Sequence, residues 1–175
     1  MRKYRQLTIS ALIAAILCIL SPFSLPVFGI IPITLATLVI YLTVSVFEPK
    51  ISVLSVCLYV LIGIIGLPVF SGFRGGIGAI LSPTGGFILG YIPMTVISSL
   101  LLKINRVSYL WNIITMIIST LVLYSIGTLW FILLTDSSIK TAITVCILPF
   151  IIGDSIKILL STVLTKIVKK RIIEI

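Results

Sequence analysis

The sequence predicts an all-α integral membrane protein: a bundle of six transmembrane helices with a glycine-rich outer loop between the third and the fourth. Three observations predict it. Of 175 residues, 59% are hydrophobic and 10% charged, and mean hydropathy is +1.35, more apolar surface than a soluble domain of this size needs. The apolar residues fall into six long stretches parted by short polar or Pro/Gly-containing segments. The lysines and arginines gather on alternate connections, as they do in a membrane protein with a fixed orientation.

A hydrocarbon core of about 30 Å takes about 20 helical residues, with a range of about 17–25. The first span is expected at about 6–20, behind a basic Met1–Arg5 segment that resembles a signal peptide. No small-residue cleavage pattern follows, so the segment reads as retained. Ser21–Ile31 contains Pro22, Pro26 and Gly29 and reads as a loop. The second span is expected at 32–47, with Pro32 in its first turn. Glu48-Pro49-Lys50 makes a tight turn into the third span at 51–66. The fourth is expected at 84–102, the fifth at 107–134 after a short connection through Asn105 and Arg106, and the sixth at 141–166 before a basic tail. The whole chain, 1–175, then forms a single membrane domain without a soluble part or an internal repeat.

Charge orients this map. With the N-terminus in the cytoplasm, Arg2, Lys3, Arg5, Lys50, Lys103, Arg106, Lys166, Lys169, Lys170 and Arg171 are cytoplasmic, Arg74 and Lys140 lie outside, and Lys157 stays within the sixth span. That asymmetry favours an even number of spans with both termini in the cytoplasm, and the expected location is the cell (plasma) membrane. The same topology explains the net charge of +9, so no nucleic-acid partner is inferred; the partner read from composition is the lipid bilayer. Cys18, Cys57 and Cys146 are dispersed in apolar segments and no histidine exists; they read as small buried residues, neither disulfide frame nor metal site. A GxxxxGK[ST] motif is absent, so this chain does not hydrolyse ATP by that route.

The segment Leu67–Gly86, LPVFSGFRGGIGAILSPTGG, is irregular by composition: Gly72, Gly75, Gly76, Gly78, Gly85 and Gly86 permit unusual backbone, and Pro68 and Pro83 frame it. Phe70, Phe73, Ile77 and Leu81 run through it, more apolar groups than a solvated linker would carry. It reads either as a lid packed on the mouth of the bundle, where irregular backbone is tolerated, or as an ordinary external loop. Arg74 is its only charge, with a planar fork suited to a carboxylate; otherwise it is an interfacial surface residue.

Asp154 and Lys157 are the other candidates. Asp154 precedes Lys166 by 12 residues, roughly 18 Å of helix at about 1.5 Å per residue, which sets it near the bilayer midplane. A charge there costs about 2.5–3.5 kcal/mol on insertion scales. The i, i+3 spacing puts both side chains on one face. They form either a structural ion pair or a polar substrate site, with Pro149 expected to kink the helix and Gly153 leaving room beside Asp154. Tyr91, in the fourth span, either stacks on a ligand or packs. Asn112 reads as a helix–helix contact, and Ala11 and Ala15 as a small-xxx-small pair that admits another helix, within this bundle or from a partner subunit.

Together, Gly66–Tyr91, the run of Pro149, Gly153, Asp154 and Lys157, the Ala11/Ala15 pair and the six-span length resemble the substrate-binding S component of energy-coupling factor (ECF) transporters, specifically the biotin-specific family, BioY. The resemblance implies a non-enzymatic subunit that needs no cofactor or metal and captures biotin from outside. Transport would be powered by a separate transmembrane coupling subunit and two ATPase subunits. In that family the loop arginine and the Asp/Lys pair serve function, which implies substrate contacts at Arg74, Asp154 and Lys157; Gly75 and Tyr91 stand beside them as further substrate-binding candidates, and Ala11 and Ala15 as the candidate partner-docking pair. The family often carries an acid after the second span; Glu48 stands there. Biotin suits the residues: its carboxylate pairs a cation, its ureido N–H groups suit Asp154, and its rings and aliphatic chain suit an apolar pocket. Whether Lys157 or Arg74 takes the carboxylate stays open at this level. The alternative is a self-sufficient secondary transporter of a small organic acid or vitamin, which would call for more acids within the membrane. A metal-dependent membrane enzyme would need clustered carboxylates or histidines.

Overall fold

The structure, a computed structural model, describes residues 2–25, 32–105 and 108–173. Pro26, Gly29, Arg106 and Val107 lie outside the described residues, as do the side chains of Arg2, Lys169, Lys170 and Arg171. Helices dominate: α1 (Arg2–Leu20), α2 (Ala36–Val46), α3 (Pro49–Ile65), α4 (Ile77–Ile80), α5 (Gly85–Leu101), α6 (Tyr109–Thr135), α7 (Ile139–Cys146) and α8 (Leu148–Ile173), with a two-residue antiparallel ladder of β1 (Ser24–Leu25) and β2 (Ile33–Thr34) before α2.

Helix directions follow from cross-helix hydrogen bonds. Gln6 Nε2 donates to Glu48 Oε2 at 3.1 Å and Ser10 Oγ to the Ile51 carbonyl at 3.3 Å, so α1 and α3 run parallel. Ser45 Oγ donates to Asn112 Oδ1 at 3.1 Å and Tyr41 pairs with Thr120, so α2 runs against α6, and Asn112 serves as the interhelical contact the sequence suggested. Tyr124 meets Asp154 and Ser161 meets Met116, so α8 also opposes α6. The start of α1 and the last turns of α8, whose Lys166 lies 5.7 Å over the Tyr109 ring, therefore share one end of the bundle. The glycine-rich segment closes the other.

The most extensive helix pairing is between α5 and α6, followed by α1 on α3 and α2 on α8. The interior is polar as well as apolar. Buried hydroxyls such as Thr43, Ser55, Thr95 and Ser98 donate back to the carbonyl four residues earlier at 2.6–2.7 Å, which satisfies them within their own helix. Leu110, Leu133 and Ile152 face outward, as a bilayer-facing surface requires. Among the described residues, three stretches are long and apolar enough to cross a membrane: Lys3–Leu20, Tyr109–Thr135 and Ile139–Val168.

Several expectations are corrected in detail. Pro32 does not begin a helix: Ile33 and Thr34 are extended against Leu25 and Ser24, Thr34 Oγ1 accepts the Ala36 amide at 3.2 Å, and α2 starts there. The last apolar stretch is divided, with α7 ending at Cys146 and α8 starting at Leu148. Pro149 has no N–H to continue the ladder and its ring crowds the carbonyl four residues back, so a break stands where a kink was expected. A turn of helix, α4, lies inside the segment expected to be irregular. Cys146 is buried, whereas Cys18 and Cys57 are only half-buried.

Candidate binding site

An unpaired ion inside the bundle is costly, so its partners reveal its state. Asp154 and Lys157, 4% and 8% exposed, form an ion pair with Nζ 2.9 Å from Oδ1. Thr37, on the first turn of α2, binds both: it accepts from Lys157 Nζ at 2.9 Å and donates to Asp154 Oδ1 at 3.3 Å. Tyr124, midway along α6, donates to Asp154 Oδ2 at 2.6 Å. One ion pair on α8 is thus held by hydroxyls from two other helices. Gly153 lets this part of α8 approach β2: a Cβ there would stand 3.3 Å from Ile33 Cδ1.

The Arg74 end is built differently. The Phe70 amide donates to the Arg74 carbonyl at 2.9 Å, closing a tight turn in which Gly72 and Phe73 are both left-handed, with φ of 69° and 58°. That conformation is uncommon for a bulky residue. Phe73 is held edge-on to Phe23, ring centroids 5.6 Å apart, and the Gly72 amide donates to the Pro22 carbonyl at 3.1 Å. Beneath the turn, Phe70 fills the space at Gly63, where a Cβ would meet its ring at 2.1 Å. The Arg74 side chain is exposed. Among the described residues it makes no side-chain hydrogen bond or ion pair.

Two separate small voids of about 40 Å³ each lie at these ends. One is lined by Asp154, Lys157, Thr37 and Tyr124, the other by Arg74, Ser71, Thr84 and Tyr59; Pro32, Thr34, Phe87 and Tyr91 line both. The Ser71 hydroxyl is buried with no hydrogen-bond partner among the described residues. Beyond Thr34 and Lys157 lies a wider cleft of about 610 Å³, lined also by Phe23, Phe73, Gly153 and Ile156.

The structure brings Asp154 and Lys157 together, sets Tyr91 at the wall between the two voids and places Arg74 at the far one. Gly75 is not part of either lining; a Cβ on it would sit 2.2 Å from the Leu67 carbonyl oxygen, so it serves the backbone crossing beside Arg74. Ala11 and Ala15 are exposed on α1, remote from the voids, on the side away from the buried Ser10, Ala14 and Leu17. Glu48 accepts the hydrogen bond from Gln6 at the opposite end of the bundle. Sequence reasoning passed over Thr37, Tyr124, Thr34 and Phe87. The one signal that bore on them was the need of a buried ion pair for partners on other helices.

The family model described as the BioY family matches residues 1–174. The chain is 36% identical to the biotin transporter BioY2 of Lactococcus lactis subsp. cremoris, over 92% of this chain and 88% of that protein. It is 31% identical to the biotin transporter BioY of Thermotoga maritima, over 97% of this chain and 99% of the other. Among solved structures, the 2.1 Å crystal structure of the S-component for biotin from an ECF-type ABC transporter matches with a TM-score of 0.88 and 26% identity, covering 97% of this chain and 93% of that one. The chain belongs to the BioY family.

Proposed function

We propose that this chain is the S component of an ECF-type transporter and captures biotin, with its carboxylate at Arg74 and its ureido ring at the Asp154–Lys157 pair. The observation that carries this is the contrast in charge between the two ends of the lined voids. Lys157 is already matched by Asp154 at 2.9 Å, so that end offers an anion nothing further in net charge. Arg74 has no acidic partner among the described residues, and Ser71 adds a buried, unpartnered hydroxyl to the same lining. A carboxylate therefore gains most at Arg74, where a guanidinium fork can take both oxygens.

Counting donors and acceptors completes the fit. An ammonium has three donors, and Lys157 uses two of them, on Asp154 and Thr37. A carboxylate has about four acceptor positions, and Asp154 uses three. The pair is left with one donor and one acceptor, which match the C=O and an adjacent N–H of a ureido ring. Tyr91, Phe87 and Tyr59 supply the apolar wall for the rings and the aliphatic chain. Ligand pockets typically enclose about 300–1,000 Å³, so biotin enters by merging the two voids, and the loaded form is more open here than the form described.

On this reading all six long elements cross the membrane as one domain. The 11 residues of α2 rise only about 16 Å at about 1.5 Å per residue; the extended backbone at Pro32–Thr34 continues that span where it lines a cavity, the place such backbone is tolerated. Lys3, Arg5, Lys50, Lys103 and Lys166 fall toward the end shared by the start of α1 and the last turns of α8, which we assign to the cytoplasm. Energy then comes from a transmembrane coupling subunit and two ATPase subunits, docked along Ala11 and Ala15. The test is isothermal titration of the purified protein in detergent with biotin, biotin methyl ester and a panel of other vitamins. Tight binding of biotin alone, weakened by the ester, is expected; no biotin binding by folded protein overturns the reading.

A further inference from the structure

Asp154 borders two spaces. It lines the inner void with Thr37 and Lys157, and it also lines an apolar cleft of about 250 Å³ between α6 and α8, with Leu121, Ile151 and Ile158. Tyr124 lines both as well. The terminal torsion of an aspartate is broad and rotation about it moves both oxygens together, so a partner on Oδ2 adds to the bonds on Oδ1 in fixing which space each oxygen faces. Lys157 and Thr37 hold Oδ1, and the Tyr124 phenol takes Oδ2 at 2.6 Å. One acceptor position, on Oδ2, stays open.

We infer that Tyr124 is a positioning residue: its hydroxyl fixes the Asp154 carboxylate so that this single open position meets one N–H of the ligand. Tyr124 thereby sets the preference for a ligand with an N–H at that spot. The inference rests on the reading of Asp154 as the ureido acceptor. Tyr41 provides a control within the same core, since it is buried on α2 but pairs with Thr120 instead of Asp154.

The experiment titrates purified, detergent-solubilised protein with biotin and with two derivatives methylated at one or the other ureido nitrogen. The wild type should bind one derivative at least thirtyfold more weakly than biotin. Tyr124→Phe should bind biotin at least tenfold more weakly and shrink that discrimination below threefold. Added to Asp154→Asn, it should cost less than twofold more, because the hydroxyl acts through Asp154. Tyr124→4-aminophenylalanine, which keeps a donor on the ring, should restore discrimination to within threefold of the wild type, and Tyr41→Phe should leave it there. Undiminished discrimination in Tyr124→Phe, equal loss in Tyr41→Phe, or no restoration by the amino variant overturns the role of Tyr124. Wild-type biotin affinity in Asp154→Asn overturns the assignment of Asp154 itself, and the role of Tyr124 with it.

Discussion

The two ends of the proposed binding region solve different problems. At the Asp154–Lys157 end the ions are buried, and groups from α2, α6 and α8 hold them through four hydrogen bonds to two charges. Such an end is rigid because moving any member leaves a charge unpaired in a medium that penalises it. At the other end Arg74 is exposed on a turn of five residues between α3 and α4, and its guanidinium has no partner among the described residues. Its place is fixed by backbone bonds and by Phe70 and Phe73 beneath and beside it. The difference teaches that polar complementarity and net charge are separable: the helices hold a neutral, pre-paired edge and the loop holds an unmatched charge, and on the proposed function the first reads shape and donors while the second reads an anion.

The sharpest way to break this comparison is to unpair the buried end. Lys157→Met leaves Asp154 buried with no cation. Breaking a buried pair from one side costs about 3–5 kcal/mol, so thermal unfolding in detergent should shift strongly and biotin binding should fall beyond a hundredfold. The double variant Asp154→Asn/Lys157→Met removes both charges. It should regain most of the unfolding temperature while biotin binding stays lost, since the donor–acceptor edge is gone. A double variant no more stable than the single one would contradict the view that the pair is held by its own mutual need.

Arg74→Met tests the other end and should separate affinity from stability. Arg74 is exposed, so the unfolding temperature should stay near that of the wild type. A hydrogen bond to a charged group contributes about 1.5–3 kcal/mol, which at about 1.4 kcal/mol per tenfold is roughly 10- to 150-fold in affinity. Biotin should weaken by that factor while biotin methyl ester is nearly unaffected, so the variant should no longer distinguish the two. If Lys157→Met loses that distinction and Arg74→Met keeps it, the two ends exchange roles.

How much of this was legible beforehand depends on range along the chain. Asp154 and Lys157 announce themselves as charges three apart in an apolar run, and Arg74 as the lone charge among glycines. Thr37 and Tyr124 did not, because hydroxyls recur along the same helices, at Thr43, Ser45, Ser119 and Thr120, and all four of those bond to a carbonyl of their own helix. Which hydroxyl meets Asp154 is decided by how α2 and α6 pack on α8, a long-range outcome that local pattern does not encode. The extended Ile33–Thr34 piece was hidden for a similar reason. Its partner Ser24–Leu25 lies across a Pro/Gly-bearing segment, and a two-residue ladder leaves no period to read. Pro149 was read correctly as a disruption, but the same residue serves a kink or a break, and only the packing of α7 decides between them.

A smaller effect should come from Gly75. A Cβ at that position would stand 2.2 Å from the Leu67 carbonyl oxygen, and backbone must give way. Overpacking of this kind costs about 1–3 kcal/mol. Because the strain lies beside Arg74 and away from α8, Gly75→Ala should lower affinity for biotin more than for its methyl ester, imitating Arg74→Met in weakened form. Titration with both ligands checks it; equal loss for the two would mean that the loop and the helix end move together.

The smallest effect on either end should come from α1. That helix buries Ser10, Ile13, Ala14 and Leu17 and turns Ala11 and Ala15 outward beside Leu12, Ile16 and Ile19, which are all exposed. Small residues on an outward helix face let another helix approach closely, and the space they leave is not filled by this bundle. A tryptophan at either position therefore has room in the isolated chain. Ala11→Trp and Ala15→Trp should keep biotin affinity within threefold of the wild type and leave unfolding unchanged, since no residue of α1 belongs to either lining. Yet each should lower co-purification with the coupling subunit and its ATPases at least tenfold, if those partners seat on α1. Full recovery of the complex with both bulky variants would move the docking surface elsewhere. Loss of biotin binding along with the complex would mean that α1, too, helps shape the region between Arg74 and Asp154, and that the division of labour between its two ends is incomplete.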